Sequence, residues 1–157
     1  MFDRLQGLAA SARAFLQPVW LDWHRAWGGE MPVSPSKNTC GRTSLFLCDV
    51  FRREGLDARW MSGVPRLAEE GPEIGPFGFF SGERWESHAW SECEGWIVDI
   101  TADQFDAAPV IVVPITDVRY RIGSGDTALP EFAAARRAAV NAIQPAWAEF
   151  RARDLAP

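Results

Sequence analysis

Residues 85–93 and 96–100 both carry the apolar and β-branched pattern of strands, and only Glu94 and Gly95 separate them. So short a connection forces the two strands to run antiparallel, and a two-residue turn also fixes their register. Cys93 then faces Trp96, Trp90 faces Asp99, and His88 faces Thr101. Because strand side chains alternate between faces, His88, Trp90 and Glu92 share a face with Asp99 and Ile97, and Cys93 is on the other face. His88 and Asp99 become diagonal neighbours, roughly 7–8 Å apart at the backbone and within side-chain reach. A turn of odd length would reverse this parity and separate them.

The rest of the chain falls into helices at the ends and short strands between. Residues 2–16 place Phe2, Leu5, Leu8, Ala12, Phe15 and Leu16 at helical spacing. Pro18 is expected to stop or kink this helix, with residues 19–27 continuing as the second arm of a helical hairpin. In that second arm Trp20, Trp23 and Trp27 form a stripe that reads best as core packing, and His24 as a surface or boundary histidine. A Gly/Pro/Ser loop leads to Asn38 and Thr39, either of which suits the N-cap of a helix starting at Cys40 and stopping at Gly55. Strands are expected over 58–64, 110–114 and 118–122, a long loop over 66–82, and a C-terminal helix from 129 or 130 that Pro145 kinks or divides.

Cys40 has a special place in this scheme. Unsatisfied N–H groups and the positive end of the helix dipole favour a thiolate in the first helical turn, and the same N–H groups can hold an oxyanion. Cys48 lies further along the same helix among Phe46, Leu47 and Val50 and belongs to the core. A nucleophilic thiol needs a base and the base an orienting acid, roles that His88 and Asp99 suit. Asn38 and Gln104 are the side-chain amides placed to assist an oxyanion, although Asn38 also suits a cap and Gln104 a loop backbone. Trp90 reads as a core or wall residue and a candidate substrate contact.

These blocks carry a resemblance. Asn38-Thr39-Cys40 opening a helix, the Gly55-to-Trp60 entry into a strand, His88-Ala89-Trp90-Ser91-Glu92 and Gly95-Trp96-Ile97-Val98-Asp99-Ile100-Thr101 resemble the transglutaminase-like branch of the papain-like cysteine proteins. It covers about residues 36 to 105 and implies Cys40 as nucleophile, His88 as general base and Asp99 as orienting acid. It also implies an α+β fold: a nucleophile-bearing helix on a small antiparallel sheet, with extra N- and C-terminal helices. The His-to-Asp interval of eleven residues is short for that family and demands a tight hairpin. Members cleave, deamidate or transfer amides, or have lost activity, and some process the leaders of lasso peptides.

With 157 residues the chain suits a single domain, read as an N-terminal helical extension (1–30), a catalytic core (36–122) and a C-terminal helix (129–153). A net charge of −5 and a single lysine, Lys37, argue against a nucleic-acid surface, and no apolar run reaches the ~20 residues of a membrane span. The expected compartment is the cytoplasm. The expected activity is cysteine-dependent cleavage of an amide in a peptide or protein, with no metal or organic cofactor; oligomeric state stays open. Two rivals stand beside it. One is a silent module that binds a peptide or protein through its tryptophans. The other is a zinc protein using Cys40, Cys93 and His88.

Overall fold

The computed structural model describes residues 1–65, 75–123 and 130–154. Three helices, α1 (Phe2–Trp27), α2 (Cys40–Arg53) and α3 (Pro130–Asp154), accompany two small antiparallel sheets. The strands are β1 (Ala58–Gly63), β2 (Gly78–Phe80), β3 (Trp85–Glu86), β4 (His88–Cys93), β5 (Trp96–Asp99), β6 (Ile111–Pro114) and β7 (Tyr120–Arg121), and a 3₁₀ turn spans Ala102–Phe105. One sheet has the order β1-β4-β5-β6 and the other β3-β2-β7. The class is α+β.

The β4–β5 hairpin has the register that the two-residue turn dictates: Cys93 faces Trp96, Glu92 faces Ile97 and Ser91 faces Val98. Glu94 and Gly95 both have positive φ, 51° and 82°, as a tight right-twisting hairpin turn requires. Alternation along β4 divides the interior in two. Cys93 enters the larger core, built by Leu5, Leu16 and Trp20 of α1, Phe46 and Phe51 of α2, and Val140 and Trp147 of α3. Trp90 and Ile97 enter the smaller core on the other face, closed by Phe79, Ile111 and Tyr120. Trp20 and Trp23 are buried as expected, while Trp27 at the helix end is 43% exposed.

Several expectations need correcting. α1 is one continuous helix and not a hairpin, and α3 is likewise undivided. Each proline removes one i→i−4 bond, but Pro18 and Ala14, and likewise Pro145 and Asn141, are exposed, so water can reach the carbonyl left over. Buried neighbours such as Leu16 and Trp20 hold the helix across the break. Residues 85–93 are two strands, parted at Ser87, and belong to different sheets. Of the expected loop 66–82, residues 66–74 lie outside the described residues, and Gly78–Phe80 is a strand.

The two sheets meet where β1 ends. A Cβ on Gly63 would collide with the backbone of Gly78 and of Arg121, and one on Gly78, whose φ is +94°, with Glu86 O. Only residues without a side chain allow so close an approach. Gly78→Ala is expected to destabilise the protein by about 2–3 kcal/mol through combined clash and backbone strain, read as a fall in the urea midpoint.

Candidate active site

The site is assembled where the start of α2 meets the start of β4. A chain of hydrogen bonds fixes the helix start: Trp20 Nε1 donates to Thr43 Oγ1 (2.9 Å), Thr43 Oγ1 to Thr39 Oγ1 (3.2 Å), and Thr39 Oγ1 to Ser36 O (2.7 Å). Thr39 is the N-cap by position, yet its hydroxyl bonds backward to the loop and makes no side-chain cap bond. The loop itself is tied down by Arg13 and Asp103. Arg13 donates to Ile100 O (2.5 Å) and pairs with Asp103 (2.6 Å), and Ser36 Oγ donates to Asp103 Oδ1 (2.6 Å). His24, half-buried at the end of α1, meets the same loop, its Nε2 lying 3.0 Å from Pro35 O.

His88 and Asp99 are both 2% exposed, and His88 Nε2 lies 2.6 Å from Asp99 Oδ2. Three further donors hold that carboxylate. Tyr120 Oη donates to Oδ2 (3.0 Å), and the Thr101 N–H (2.9 Å) and Oγ1 (3.1 Å) donate to Oδ1. An ionised Asp99 so held accepts from His88 Nε2–H, which fixes the tautomer and leaves Nδ1 as the basic nitrogen. Phe105 meets the imidazole edge-on at 5.2 Å, Phe79 lies at 5.7 Å, and Trp90 is stacked at 6.5 Å.

Cys40 is the residue next to the free side of the ring. His88 Nδ1 is buried and makes no hydrogen bond of ordinary geometry among the described residues. Electrostatically the two groups nevertheless act on each other. Burial alone pushes the Cys40 thiol up, but the His88 ring and the Ala89 backbone outweigh it and hold the thiol below its ordinary range. For His88, burial favours the neutral ring, and Asp99 first and Cys40 second raise its pKa against that. Asp99 is raised by burial and lowered further by His88, Thr101 and Tyr120, with a net lowering. A thiolate–imidazolium pair backed by a carboxylate is the arrangement these shifts favour. The contact itself is looser than a formed hydrogen bond, as catalytic contacts often are before substrate arrives. By contrast, burial pushes Cys48 up to about 11 and Cys93 up to about 12.

Cys40 and His88 open into a cleft of about 330 Å³ whose far wall is Phe132, Ala135 and Arg136 of α3. A second, more polar cleft of about 750 Å³, with Lys37, Glu83, Arg84, Glu86 and Asp106 among its lining, shares Asn38 and Ser87 with the first. α1 lines neither cleft.

The structure brings Cys40, His88 and Asp99 together and distributes the other expected residues differently. Gln104 spends its amide on backbone, accepting from the Asn38 N–H (3.2 Å) and donating to Thr101 O (2.9 Å). Asn38 lines both clefts, with φ +61°. Trp90, expected as a substrate contact, is 1% exposed and packs behind His88 against Tyr120, so it cannot touch a substrate. Cys93 and His88 lie on opposite faces of β4, which removes the zinc arrangement that needed both. Among the described residues no group of three His, Cys, Asp or Glu side chains has metal-binding geometry. Sequence reasoning missed Tyr120 and the α3 wall. Thr101 lay inside the quoted Gly-Trp-x-x-Asp-x-Thr block and could have been assigned; Tyr120, the chain's one tyrosine, had no local signal beyond its singularity.

No protein-family model, curated protein or solved structure matches the chain. The site must be read from its geometry.

Tyr120→Phe removes one of the four groups held by Asp99 and leaves the ring packing in place. It is expected to cost about 1–2 kcal/mol in urea unfolding and to leave Cys40 reactive.

Proposed function

We propose that the protein is a cysteine-dependent amide-bond hydrolase of the transglutaminase-like, papain-like kind, acting on a peptide or protein through Cys40, His88 and Asp99. The observation that carries this reading is the buried imidazole held by Asp99 through Nε2, with its other nitrogen turned to a thiol on the first turn of a helix. A histidine kept only for packing has no need of a carboxylate with three additional donors.

The chemistry follows from the positions. His88 Nδ1 takes the Cys40 proton and the thiolate attacks the carbonyl carbon, forming the S–C bond as the C=O electron pair moves onto oxygen. The Cys40 N–H, free of an intrahelical acceptor at the helix start, donates to that oxyanion, and the Asn38 amide in the same cleft is placed to assist. His88 then protonates the departing nitrogen as the C–N bond breaks. Water, activated by the same ring, hydrolyses the thioester and restores the thiol. Water is the acceptor because it needs no second binding site. The two clefts meeting at Asn38 and Ser87 suit a substrate that extends to both sides of the thiol.

No helix among the described residues is long and apolar enough to cross a membrane. Free thiols at Cys40, Cys48 and Cys93 suit the reducing cytoplasm, where we place the protein.

The test is alkylation of the native protein by iodoacetamide across pH, with the site assigned by mass spectrometry. Cys40 is expected to label selectively, with an apparent pKa well below the ~8.5 of a free thiol. Labelling no faster than a free thiol, or only after unfolding, sinks the enzyme reading and leaves a binding module.

A further inference from the structure

The cleft beside Cys40 and the one next to it differ in chemistry. Phe132, Ala135, Ala89 and Gly41 line the first, whereas Lys37, Glu83, Arg84, Glu86 and Asp106 all line the second. The two guanidiniums in the wall of the first lie on rings: Arg42 over Trp23 (5.1 Å) and Trp27 (4.9 Å), and Arg136 over Trp60 (4.1 Å). α3 crosses the start of α2 closely here. Arg136 Nε is 3.2 Å from where a Cβ on residue 41 would stand, so Gly41 lets the α3 wall approach the thiol. Phe132 is the unusual member of that wall. By helical spacing it shares one face of α3 with Val140, Ile143 and Trp147, at i, i+8, i+11 and i+15. Those three pack on the larger core, while Phe132, two turns before Val140, lines the cleft and is 52% exposed. The apolar face of α3 thus runs on from the core to the nucleophile.

We propose that Phe132 and Ala135 form an apolar subsite on the α3 side of Cys40, so that the amide attacked lies beside a large apolar side chain of the substrate. A cleft of about 330 Å³ is at the small end of ligand sites and suits one side chain next to the reacting carbonyl. The neighbouring cleft supplies the contrast that orients the substrate. An apolar group loses its water favourably against Phe132, but in the other cleft it would strip water from Glu83 and Asp106 without replacing it. A chain extended across Cys40 is therefore held with its apolar residue toward α3 and its polar residues toward Lys37 and Glu83. Residues 130–154 lie outside the stretch that carries the family resemblance, so this specificity belongs to the chain's own C-terminal helix. The inference rests on Cys40 being the attacking thiol.

N-substituted iodoacetamides test it, because each alkylates sulfur with loss of iodide and they differ only in the group on nitrogen. The ratio of the Cys40 rate constants for N-benzyliodoacetamide and iodoacetamide, relative to the same ratio for N-acetylcysteine, is expected to be raised about tenfold. N-(carboxymethyl)iodoacetamide and N-(2-aminoethyl)iodoacetamide, which carry opposite charges, should show no such gain. Phe132→Ser should remove most of the benzyl preference and Phe132→Leu should retain part; at 52% exposure neither change opens a cavity in the core. Ala135→Glu sets a carboxylate at an exposed helical position in the wall, and should lower the benzyl ratio while raising the aminoethyl one. Val118→Ser removes a 75% exposed apolar side chain that lines neither cleft, and should leave every ratio unchanged. Rapid iodoacetamide labelling with an unraised benzyl ratio, an equal gain by either charged reagent, or a benzyl preference that survives Phe132→Ser overturns the subsite and leaves the nucleophile standing. If native Cys40 reacts with none of the reagents, the nucleophile falls and the subsite with it.

Discussion

Replacing His88 by alanine is expected to lower the rate of Cys40 alkylation by iodoacetamide at pH 6 about tenfold to a hundredfold. In the native site the thiol is held below its ordinary range chiefly by the imidazole, against burial that pushes it up. Removing the ring removes the lowering partner and keeps the α3 wall that desolvates the thiol. A thiol at or above ~8.5 is less than about 1% ionised at pH 6, and the lowering by the imidazole raises that fraction in the native site. A thiolate of low pKa is intrinsically a weaker nucleophile, which returns part of that factor and sets the lower bound. The pH profile carries the sign. In the wild type the rate rises through the lowered Cys40 pKa, at lower pH than in the variant, and changes again when the raised His88 loses its proton. His88→Ala should show one alkaline limb, and the two proteins should converge near pH 9. Equal rates at pH 6 would show that the imidazole does not activate the thiol.

The second large effect belongs to Asp99. Asp99→Ala leaves Tyr120 Oη, both Thr101 donors and His88 Nε2 without their acceptor, in a site 2% exposed. Stripping one member from a buried charged network typically costs about 3–5 kcal/mol, which urea unfolding at pH 5 would register directly. The effect should depend on pH in both directions. Asp99 has a lowered folded-state pKa, so its contribution is complete above its unfolded value of ~3.9 and is lost as pH falls through the folded one. His88 has a raised folded-state pKa, so its contribution is complete below ~6.5 and is lost as pH rises through the folded value. The wild type should therefore be most stable between about pH 4 and 6.5 relative to the variant, with the gap narrowing on either side. A gap independent of pH would mean that Asp99 acts through packing or neutral hydrogen bonds alone.

Local signals explain what could be read in advance. Glu94-Gly95 set the β4–β5 register, and parity alone then placed His88 beside Asp99 and Cys93 opposite. The start of α2 was legible from the loop and capping residues ahead of Cys40. Illegible features were those created by distant partners. β2, three residues long, falls inside the expected loop, and although β7 lies within the expected strand 118–122, the pairing of the two across about forty positions had no local signal. Without that second sheet, Trp90 could be read either as a core or wall residue or as a candidate substrate contact, and the sheet decides for the core. Tyr120 reaches Asp99 only because β7 closes over that face. Pro18 and Pro145 misled for a related reason: propensity weighs the lost hydrogen bond, while Trp20 and Trp147 nearby weigh a core.

The Arg13–Asp103 pair has a practical bearing on how the molecule can be dissected. One guanidinium reaches from the first helix to the carbonyl of Ile100, the residue after Asp99, and to the aspartate that also receives Ser36 from the loop before Cys40. Both halves of the candidate triad are thus moored to a helix that touches neither cleft. Shortening the chain to its apparent catalytic segment, 36–122, would cut that mooring and expose the faces of Leu5, Leu16 and Trp20 at the same stroke. The smallest unit that can be tested for activity includes α1.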